Sequence, residues 1–277
     1  MADKDLLRSI LDKLSNRGIG RRIASSKKFP VVSYLLTRIS RVVLRHYRIK
    51  FFAGKWRSAR VDFSNSPVIF SELVAKHGSD KEQSKSTSLH PWRHHTYGNV
   101  YELLFAHCRN NIFNVFECGI GSINSEINSN MGANGVPGGS LRIWRDYFPN
   151  SQIFGADIDP LALFEETRIK TFQLDQTDEK SIAKLWAKLG DIKFDLMIDD
   201  GLHLPEAGIT MLKNSIHKLN VDGIYVIEDV SFRHFAAYKA ALSELAVDYV
   251  LISSNRKIEE SLDNNLLIVR TKSSSCP

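Results

Sequence analysis

The sequence lacks any apolar run of the roughly 20 residues that a membrane-spanning helix needs. Its first residues also lack the charged-then-apolar pattern of a secretion signal. Cysteines are few: Cys108, Cys118 and Cys276 show no CxxC-type spacing, so neither a zinc site nor a disulfide framework is expected. We therefore predict a cytoplasmic protein with reduced thiols, long enough at 277 residues for one sizeable domain and an extension.

Acidic residues are scarce at the start of the chain. Residues 1–60 contain 16 of the 37 basic residues but three of the 31 acidic ones, which leaves 21 basic and 28 acidic residues for the remainder. Apolar residues after Pro30 recur at helical spacing beside a stripe of arginines. This pattern predicts a basic amphipathic helix within a basic helical extension over 1–60. The stripe consists of Arg38, Arg41, Arg45 and Arg48.

Two interpretations of this extension stay open. In the first, residues 30–52 contact an anionic membrane surface, at the inner face of the membrane. In the second, the apolar stripe packs on the domain or on a partner subunit of a homo-oligomer, and the arginines lie in solvent. Nucleic acid is not an expected partner, because the rest of the chain is acidic and has no nucleic-acid module signature.

Two apolar segments in the middle of the chain each end abruptly in carboxylates. They cover 194–203 and 223–230, and apolar residues at helical spacing lie between them over 205–219. A strand–helix–strand unit predicts parallel strands whose carboxyl ends meet at one sheet edge, where open α/β folds bind ligands. Like charges at one edge need a cation or hydrogen-bond donors, which indicates a functional site. The carboxylates are Asp199, Asp200, Glu228 and Asp229.

Apolar runs separated by helical patterns predict seven strands in all. Besides the two above, they lie at 111–118, 152–159, 168–174, 249–253 and 265–271. The predicted fold class is α/β, with a doubly wound, mostly parallel seven-stranded sheet and one antiparallel strand near an edge. We assign this domain to residues 61–277. The Ser- and Lys-rich stretch 78–88 is predicted to be a mobile loop.

The strand over 111–118 ends in the sequence Glu-Cys-Gly-Ile-Gly at 117–121, where glycines allow the backbone to approach a ligand closely. An insertion rich in Asn and Gly, 122–139, separates this turn from a helix with Ser140 as its predicted N-cap. The insertion must lie over or beside the carboxyl edge, and its Asn side chains suit sugar hydroxyls. It breaks the spacing of a dinucleotide fingerprint, which counts against an NAD-dependent oxidoreductase.

The motifs become specific when they are taken together. They are Glu117-Cys-Gly-Ile-Gly, Asp157, Asp175-Gln176, Ser140–Pro149, Ile198-Asp-Asp-Gly-Leu-His and Ile227-Glu-Asp-Val. In this combination the chain resembles the class I S-adenosylmethionine-dependent methyltransferases, which have a Rossmann-like fold. More narrowly, residues 71–270 are similar to metal-dependent sugar O-methyltransferases of antibiotic pathways, of the macrocin and mycinose type.

The resemblance implies a role for each matching residue. Around S-adenosylmethionine it implies Glu117, Gly119 and Gly121 at the methionine part, Asp157 at the ribose, and Asp175 and Gln176 at the adenine. We also assign Ser140 and Asp199 to the cofactor part of the site. Around Mg²⁺ and the acceptor the resemblance implies Asp200, Glu228 and Asp229 as metal ligands and His203 as the general base.

Elementary chemistry agrees with these assignments. Carboxylate oxygens suit Mg²⁺, which keeps positions open for a substrate diol. The imidazole of His203 can accept a proton near neutral pH. Period-two alternation places Asp199 on the opposite strand face from Asp200, so Asp199 is assigned to hydrogen bonding with the cofactor or with the following loop, and not to the metal. Acceptor contacts are assigned to His95, Tyr97, Asn128 and Asn130.

We therefore expect S-adenosylmethionine-dependent, Mg²⁺-assisted O-methylation of a sugar hydroxyl, with a carbohydrate as the acceptor. The insertion and the basic extension favour a cell-surface polysaccharide or glycolipid as that acceptor, and a natural-product sugar is the alternative. The broken fingerprint disfavours an NAD-dependent sugar oxidoreductase. The presence of a candidate base and of candidate metal ligands disfavours a non-catalytic scaffold.

Overall fold

The computed structural model describes residues 47–53, 57–63, 69–82, 94–127, 129–254 and 264–271. The strands are β1 (Tyr47–Ala53), β2 (Arg57–Phe63), β3 (Asn114–Cys118), β4 (Gln152–Asp157), β5 (Glu165–Glu166), β6 (Ile169–Gln173), β7 (Phe194–Asp199), β8 (Leu219–Ile227), β9 (Val247–Ser254) and β10 (Asn265–Thr271). The helices are α1 (Ile69–His77), α2 (Gly98–Phe105), α3 (Gly139–Tyr147), α4 (Glu179–Leu189), α5 (Pro205–Ser215) and α6 (Phe235–Ser243). None of the helices in these described ranges is long and apolar enough to cross a membrane.

All the strands belong to one sheet, in the order β1-β2-β9-β10-β8-β7-β3-β4-β6-β5. Strands β8, β7, β3, β4 and β6 run parallel, whereas β10 is antiparallel to both β8 and β9. The seven predicted strands are present, and β10 is the predicted antiparallel strand. The doubly wound α/β fold is thus confirmed. Strands β1, β2 and the two-residue β5 are additions to the prediction.

Alternation along the strands divides the core into two layers. Val115 and Ile198 point to one face, where they are buried with side chains of α1, α2 and α3. Phe116 and Met197 point to the other face, where they are buried with α4, α5 and α6. Helices therefore cover both faces, and the strand ends remain available for a ligand site.

The same alternation determines which carboxylates lie on the same face of the sheet. Glu117 and Glu228 continue the strand positions that face α1, α2 and α3. Asp199 follows Met197 on the opposite face, where its charge acts on Tyr238 of α6. The acidic edge is therefore divided between the two faces of the sheet, as period two predicts.

The start of the described chain differs from its prediction. Residues 47–53 and 57–60 belong to strands, whereas the arginine stripe placed them in a basic helical extension. Strand β2 pairs in parallel with β9, and β1 pairs antiparallel with β2, so this segment extends the sheet. The sequence Tyr-Arg-Ile-Lys-Phe at 47–51 alternates apolar and basic residues, a strand pattern that the stripe obscured. Residues 30–46 lie outside the described residues, and the domain boundary at residue 60 stays a prediction.

Two local predictions near helix ends are also wrong. The N-cap of α3 is Gly138, whose φ of +72° is left-handed, so Ser140 lies in the first turn instead. Glycine is required there because a Cβ would lie 2.2 Å from a ring carbon of Phe164. The first part of the predicted mobile loop is compact, since Lys81 and Glu82 are only 1 % and 7 % exposed. The rest of that loop, 83–88, lies outside the described residues.

Candidate active site

A cavity of about 820 Å³ opens at the carboxyl edge of the sheet, which is within the range of ligand pockets. Four strand ends contribute to its wall: Gly119 follows β3, Asp157 ends β4, Asp200 follows β7 and Glu228 follows β8. The first turn of α3 adds Ser140. The cavity lies where the sequence predicted a ligand site.

Most of the predicted site residues line this cavity. Those assigned to the cofactor are Gly119, Gly121, Ser140, Asp157, Asp175 and Gln176. Those assigned to the metal, the base or the acceptor are His95, Asn130, Asp200, His203, Glu228 and Asp229. Glu117, Asp199 and Tyr97 are buried behind the cavity wall, and their assignment to ligand contact stays a prediction. Asn128 lies outside the described residues.

The glycine turn after β3 is held by Asp157. Gly119 and Gly121 have φ values of +82° and +87°, which L side chains rarely adopt. The Asp157 carboxylate accepts the backbone N–H of Ile120 at 2.9 Å and that of Asp159 at 3.0 Å. Burial raises the pKa of Asp157. Each carboxylate oxygen has a second lone pair, so Asp157 can still accept a hydroxyl hydrogen bond from a ligand in the cavity.

Glu117 is fully buried beneath this turn. It accepts the indole N–H of Trp144 at 2.9 Å and a hydrogen bond from Ser140. Its other oxygen lies 3.1 Å from the ammonium of Lys81. Burial raises the pKa of Glu117, although Lys81 acts in the opposite direction. Glu117 therefore supports the floor of the cavity and the start of α3, because its position in the strand directs it into the core.

Gln176 and Asp199 fix the loop that follows β7. The Gln176 amide donates to Asp199 at 3.0 Å, and its carbonyl oxygen accepts the backbone N–H of Leu202 at 2.8 Å. Asp199 is only 3 % exposed, and burial raises its pKa to about 6. Asp199 thus braces the loop that carries Asp200 and His203, and it does so from behind the cavity wall.

A lysine that the sequence analysis did not assign lies among the carboxylates of the site. The Nζ atom of Lys81 is 2.7 Å from Asp200 Oδ2, 2.5 Å from Glu228 Oε2 and 3.1 Å from Glu117 Oε1. Burial alone lowers the pKa of a lysine, but these carboxylates raise the pKa of Lys81 well above its ordinary value. Lys81 is therefore an ammonium ion that compensates part of the acidic charge.

Asp200, His203 and Asp229 form a group with the spacing of a metal site. One potential ligand atom from each lies within 4.8 Å of the others. His203 Nε2 is 3.3 Å from Asp200 Oδ1, and His203 Nδ1 is 3.4 Å from Asp229 Oδ2. The φ angles of His203 and Asp229 are +59° and +54°. Non-glycine residues rarely adopt such angles, and those that do concentrate at functional sites.

The carboxylates set the protonation of His203. Burial alone lowers the pKa of an imidazole, but Asp229 and Asp200 raise the pKa of His203 to about 10. Asp200 shows the reverse effect: despite its burial, Lys81 and His203 hold its pKa well below the usual range. A divalent cation bound by these carboxylates lowers the pKa of His203, because its positive charge repels the charge of the protonated imidazole.

Glu228 lies beside Asp200 and Asp229 in the cavity, and its role as a metal ligand stays a prediction. It is 2 % exposed, and its two oxygens accept hydrogen bonds from the Tyr101 hydroxyl and from Lys81. Burial raises the pKa of Glu228 well above its ordinary value. Among the described residues, the group of potential ligand atoms contains His203 in place of Glu228. The sequence pattern could not show this, because both partners of Glu228 come from the distant segment around α2.

His95 and Tyr97 support Asp229. Their rings are stacked, with centroids 4.7 Å apart. The Tyr97 hydroxyl donates to Asp229, and His95 Nδ1 lies 3.3 Å from the same carboxylate. His95 lines the cavity, whereas Tyr97 is 1 % exposed and holds Asp229 from behind it.

The insertion 122–139 borders the cavity, as the sequence predicted. The Ser122 carbonyl accepts the Met131 N–H at 2.8 Å, and the Gly138 N–H donates to the Ile120 carbonyl at 2.8 Å. Met131 also packs on the glycine turn, because a Cβ on Gly121 would lie 2.3 Å from its Cε atom. The insertion is thus held against the turn at its middle and at its C-terminal end.

The site fits the two groups that the resemblance implies. Two carboxylates and an imidazole offer oxygen and nitrogen donors at metal-ligand spacing, and such donors suit a small divalent cation. The other part of the cavity offers a glycine turn and the acidic residues Asp157 and Asp175 at successive strand ends. This arrangement is typical of sites for nucleoside cofactors.

The sheet order, the single antiparallel β10 in the parallel region and the acidic edge define a Rossmann-like methyltransferase fold. A solved structure supports this class: MycE, a methyltransferase from the mycinamycin biosynthetic pathway, in complex with Mg and SAH. It matches with a TM-score of 0.53 and 24 % identity, over 76 % of this chain and 55 % of that chain. A likeness at this identity shows the fold alone. No protein-family model matches the chain.

The chain is similar to antibiotic-pathway O-methyltransferases, as its motifs predicted. The 8-demethyl-8-alpha-L-rhamnosyl tetracenomycin-C 2'-O-methyltransferase of Streptomyces olivaceus is 33 % identical over 172 residues, which is 62 % of this chain and 40 % of that protein. The demethylmacrocin O-methyltransferase of Streptomyces fradiae is 36 % identical over 136 residues, 49 % of this chain and 32 % of that protein. The chain thus spans less than half the length of these relatives.

Proposed function

We propose that the protein is an S-adenosylmethionine-dependent, Mg²⁺-assisted O-methyltransferase that acts on a sugar hydroxyl. One observation carries the proposal: the glycine turn and the Asp200–His203–Asp229 group open into the same cavity. The names of the relatives support the reaction class, and MycE with Mg and SAH supports the pairing of metal and cofactor.

Each part of the cavity has a role in this reaction. Asp157 and Asp175 bind the nucleoside part of S-adenosylmethionine, which supplies an electrophilic methyl group when bound. Asp200 and Asp229 hold Mg²⁺, which supplies a Lewis acid that lowers the pKa of a sugar hydroxyl. His203 accepts the hydroxyl proton as the new C–O bond forms and the C–S bond breaks.

For the acceptor we propose a natural-product glycoside in preference to a cell-surface polysaccharide or glycolipid. The relatives' names describe a rhamnosyl tetracenomycin and demethylmacrocin. The insertion and the basic extension were the features that favoured a cell-surface acceptor. The insertion suits either acceptor, and residues 30–46 of the extension lie outside the described residues.

The test is methyl transfer by the purified full chain with S-adenosylmethionine, MgCl₂ and a panel of acceptors. The panel contains deoxysugar glycosides of aromatic and macrolide aglycones, free sugars and a lipid-linked glycan. We expect mass spectrometry to show one added methyl group on a glycoside, with turnover lost in excess EDTA and restored by Mg²⁺. Methylation of the lipid-linked glycan alone would show that the acceptor is not a natural-product glycoside. Full turnover in EDTA would show that the reaction does not need Mg²⁺.

Binding measurements distinguish a methyltransferase from an NAD-dependent oxidoreductase, and they distinguish the metal site from the cofactor site. Isothermal titration should show binding of S-adenosylmethionine and no binding of NAD⁺; the reverse result would favour the oxidoreductase. Asp200→Asn should abolish Mg²⁺-dependent turnover and leave cofactor affinity nearly intact. Asp157→Asn should weaken cofactor binding and leave Mn²⁺ binding intact.

A further inference from the structure

The buried acidic part of the cavity contains its own cation. Lys81 is 1 % exposed, and its ammonium pairs with Asp200 at 2.7 Å, Glu228 at 2.5 Å and Glu117 at 3.1 Å. Lysine is almost never buried to this degree without partners, and here three carboxylates surround it. The methyl transfer described above does not use this ammonium, so its role needs a separate explanation.

Asp200 is the carboxylate that Lys81 shares with the candidate metal group. Its Oδ2 atom pairs with Lys81, and its Oδ1 atom lies 3.3 Å from His203 in the group that includes Asp229. A divalent cation bound to this group would share one carboxylate with the ammonium. Two positive charges so close repel each other, and the repulsion is stronger at a buried site than in water.

We propose that Lys81 sets the affinity of the site for its divalent cation, as a built-in counter-ion that shares Asp200 with the metal. This inference rests on the proposed function only in assigning a divalent cation to the carboxylates Asp200 and Asp229. Without the metal, Lys81 keeps Glu117, Asp200 and Glu228 together, because buried carboxylates without a cation repel one another. When a divalent cation binds, repulsion from the Lys81 ammonium weakens the binding of that cation.

The test measures binding of Mn²⁺ alone to Lys81→Met by isothermal titration. Lys76→Met is the matched control, because it removes the same charge from α1, where Lys76 pairs with Asp146 at 2.7 Å outside this cavity. Loss of a nearby positive charge should make Lys81→Met bind Mn²⁺ about tenfold more tightly than the wild type. Lys76→Met should bind like the wild type. Equal or weaker binding by Lys81→Met would overturn the proposal.

Thermal unfolding gives a second measurement in case Lys81→Met folds poorly. In EDTA the melting temperature should fall, because the buried carboxylates lack their cation. Added Mn²⁺ should raise it by more than it raises that of the wild type, since a ligand that binds the folded state stabilises it. Combining Lys81→Met with Glu228→Gln should restore part of the loss in EDTA. A loss that Mn²⁺ does not reduce would mean that Lys81 serves packing alone.

Neither measurement needs an acceptor or methyl transfer, so the two proposals can fail separately. If the wild type binds no divalent cation, both the metal part of the proposed function and the role of Lys81 are wrong. If the wild type binds Mn²⁺ and Lys81→Met binds it equally well, only the role of Lys81 is wrong.

Discussion

The side-chain amide of Gln176 donates a hydrogen bond to Asp199 at 3.0 Å, and this contact joins the segment after β6 to the end of β7. The same amide accepts the N–H of Leu202 at 2.8 Å. The packing is tight, because a Cβ on Gly201 would lie 1.8 Å from Gln176 Oε1. The loop 200–203, which carries the candidate metal ligand Asp200 and the candidate base His203, therefore depends on a residue from the cofactor part of the cavity.

Gln176→Ala is expected to lower both stability and turnover. The change removes the acceptor of the part-buried Leu202 N–H and a donor to the buried Asp199, and an unsatisfied buried group costs about 1–3 kcal/mol. Release of the loop should also disturb Asp200 and His203. Denaturant unfolding and methyl transfer measure the two effects, with Gln173→Ala, an exposed residue of β6, as the control. Wild-type stability of Gln176→Ala would show that other contacts hold the loop.

The strands and their acidic ends could be predicted because both are local patterns. Each apolar run ends in carboxylates, and the connecting helix makes β7 and β8 parallel. Period two then separates Asp199 from Asp200 without knowledge of any partner. The strands before residue 64 show the limit of this approach, because a basic stripe was interpreted as helical where a strand alternation was also present.

Contacts between distant residues could not be predicted in this way. Lys81 and Glu228 are 147 residues apart, and Lys81 lies in a polar stretch that resembles a surface loop. Tyr101 of α2 lies 127 residues before Glu228, and its hydroxyl donates to Glu228 as well. The composition of a loop does not show which of its side chains is buried. Burial of a charged side chain depends on an opposite charge, which here comes from distant parts of the chain.

His203→Asn is expected to reduce turnover by about 10²–10⁴-fold, the usual contribution of a general base. Asn tolerates the φ of +59° at this position better than most residues, so the variant tests the imidazole and not the backbone. Mn²⁺ affinity should fall far less than turnover if His203 acts as the base. The control is His217→Asn, which changes an exposed imidazole in the turn before β8.

Two results would contradict this role of His203. An unchanged pH profile with a loss of less than about tenfold would place the base elsewhere, with His95 as the next candidate. Loss of Mn²⁺ binding in parallel with turnover would identify His203 as a metal ligand instead.

Asp146→Asn is expected to destabilise the contact between α1 and α3 by about 1 kcal/mol at neutral pH, a magnitude typical of partly exposed ion pairs. Asp146 accepts from Lys76 at 2.7 Å, His77 at 2.8 Å and Arg145 at 2.9 Å. Although burial acts in the opposite direction, these partners hold the pKa of Asp146 below its usual range.

Because the pKa of Asp146 is lowered in the folded state, we expect its contribution to the free energy of unfolding to depend on pH. A lowered pKa in the folded state stabilises the protein above the unfolded-state pKa of about 3.9, and this stabilisation is lost as the pH falls below it. The difference in free energy of unfolding between wild type and Asp146→Asn should therefore shrink in acid. Denaturant unfolding at neutral and acidic pH measures it, with Asp191→Asn, an exposed aspartate, as the control. A difference that does not change with pH would contradict the ion-pair assignment.

We expect one part of the insertion 122–139 to affect acceptor binding and another part to affect cofactor binding. The Asn130 amide donates to the Ile127 carbonyl at 2.6 Å and accepts the Gly132 N–H at 3.0 Å, so it shapes the cavity-facing loop. Met131 instead packs on the glycine turn at Gly121. Neighbouring residues in the sequence therefore act on different parts of the cavity.

We expect Asn130→Ala to raise the acceptor KM several-fold and to leave cofactor affinity nearly unchanged, because the loop loses two hydrogen bonds but keeps its packing on the turn. Met131→Ala should do the reverse, since it opens a space beside the glycine turn. Steady-state kinetics and cofactor titration measure both effects, with the exposed Asn150→Ala as the control. Acceptor kinetics equal to wild type in Asn130→Ala would mean that the insertion does not recognise the acceptor. Equal cofactor affinity in Met131→Ala would mean that Asp157 holds the turn without help from the insertion.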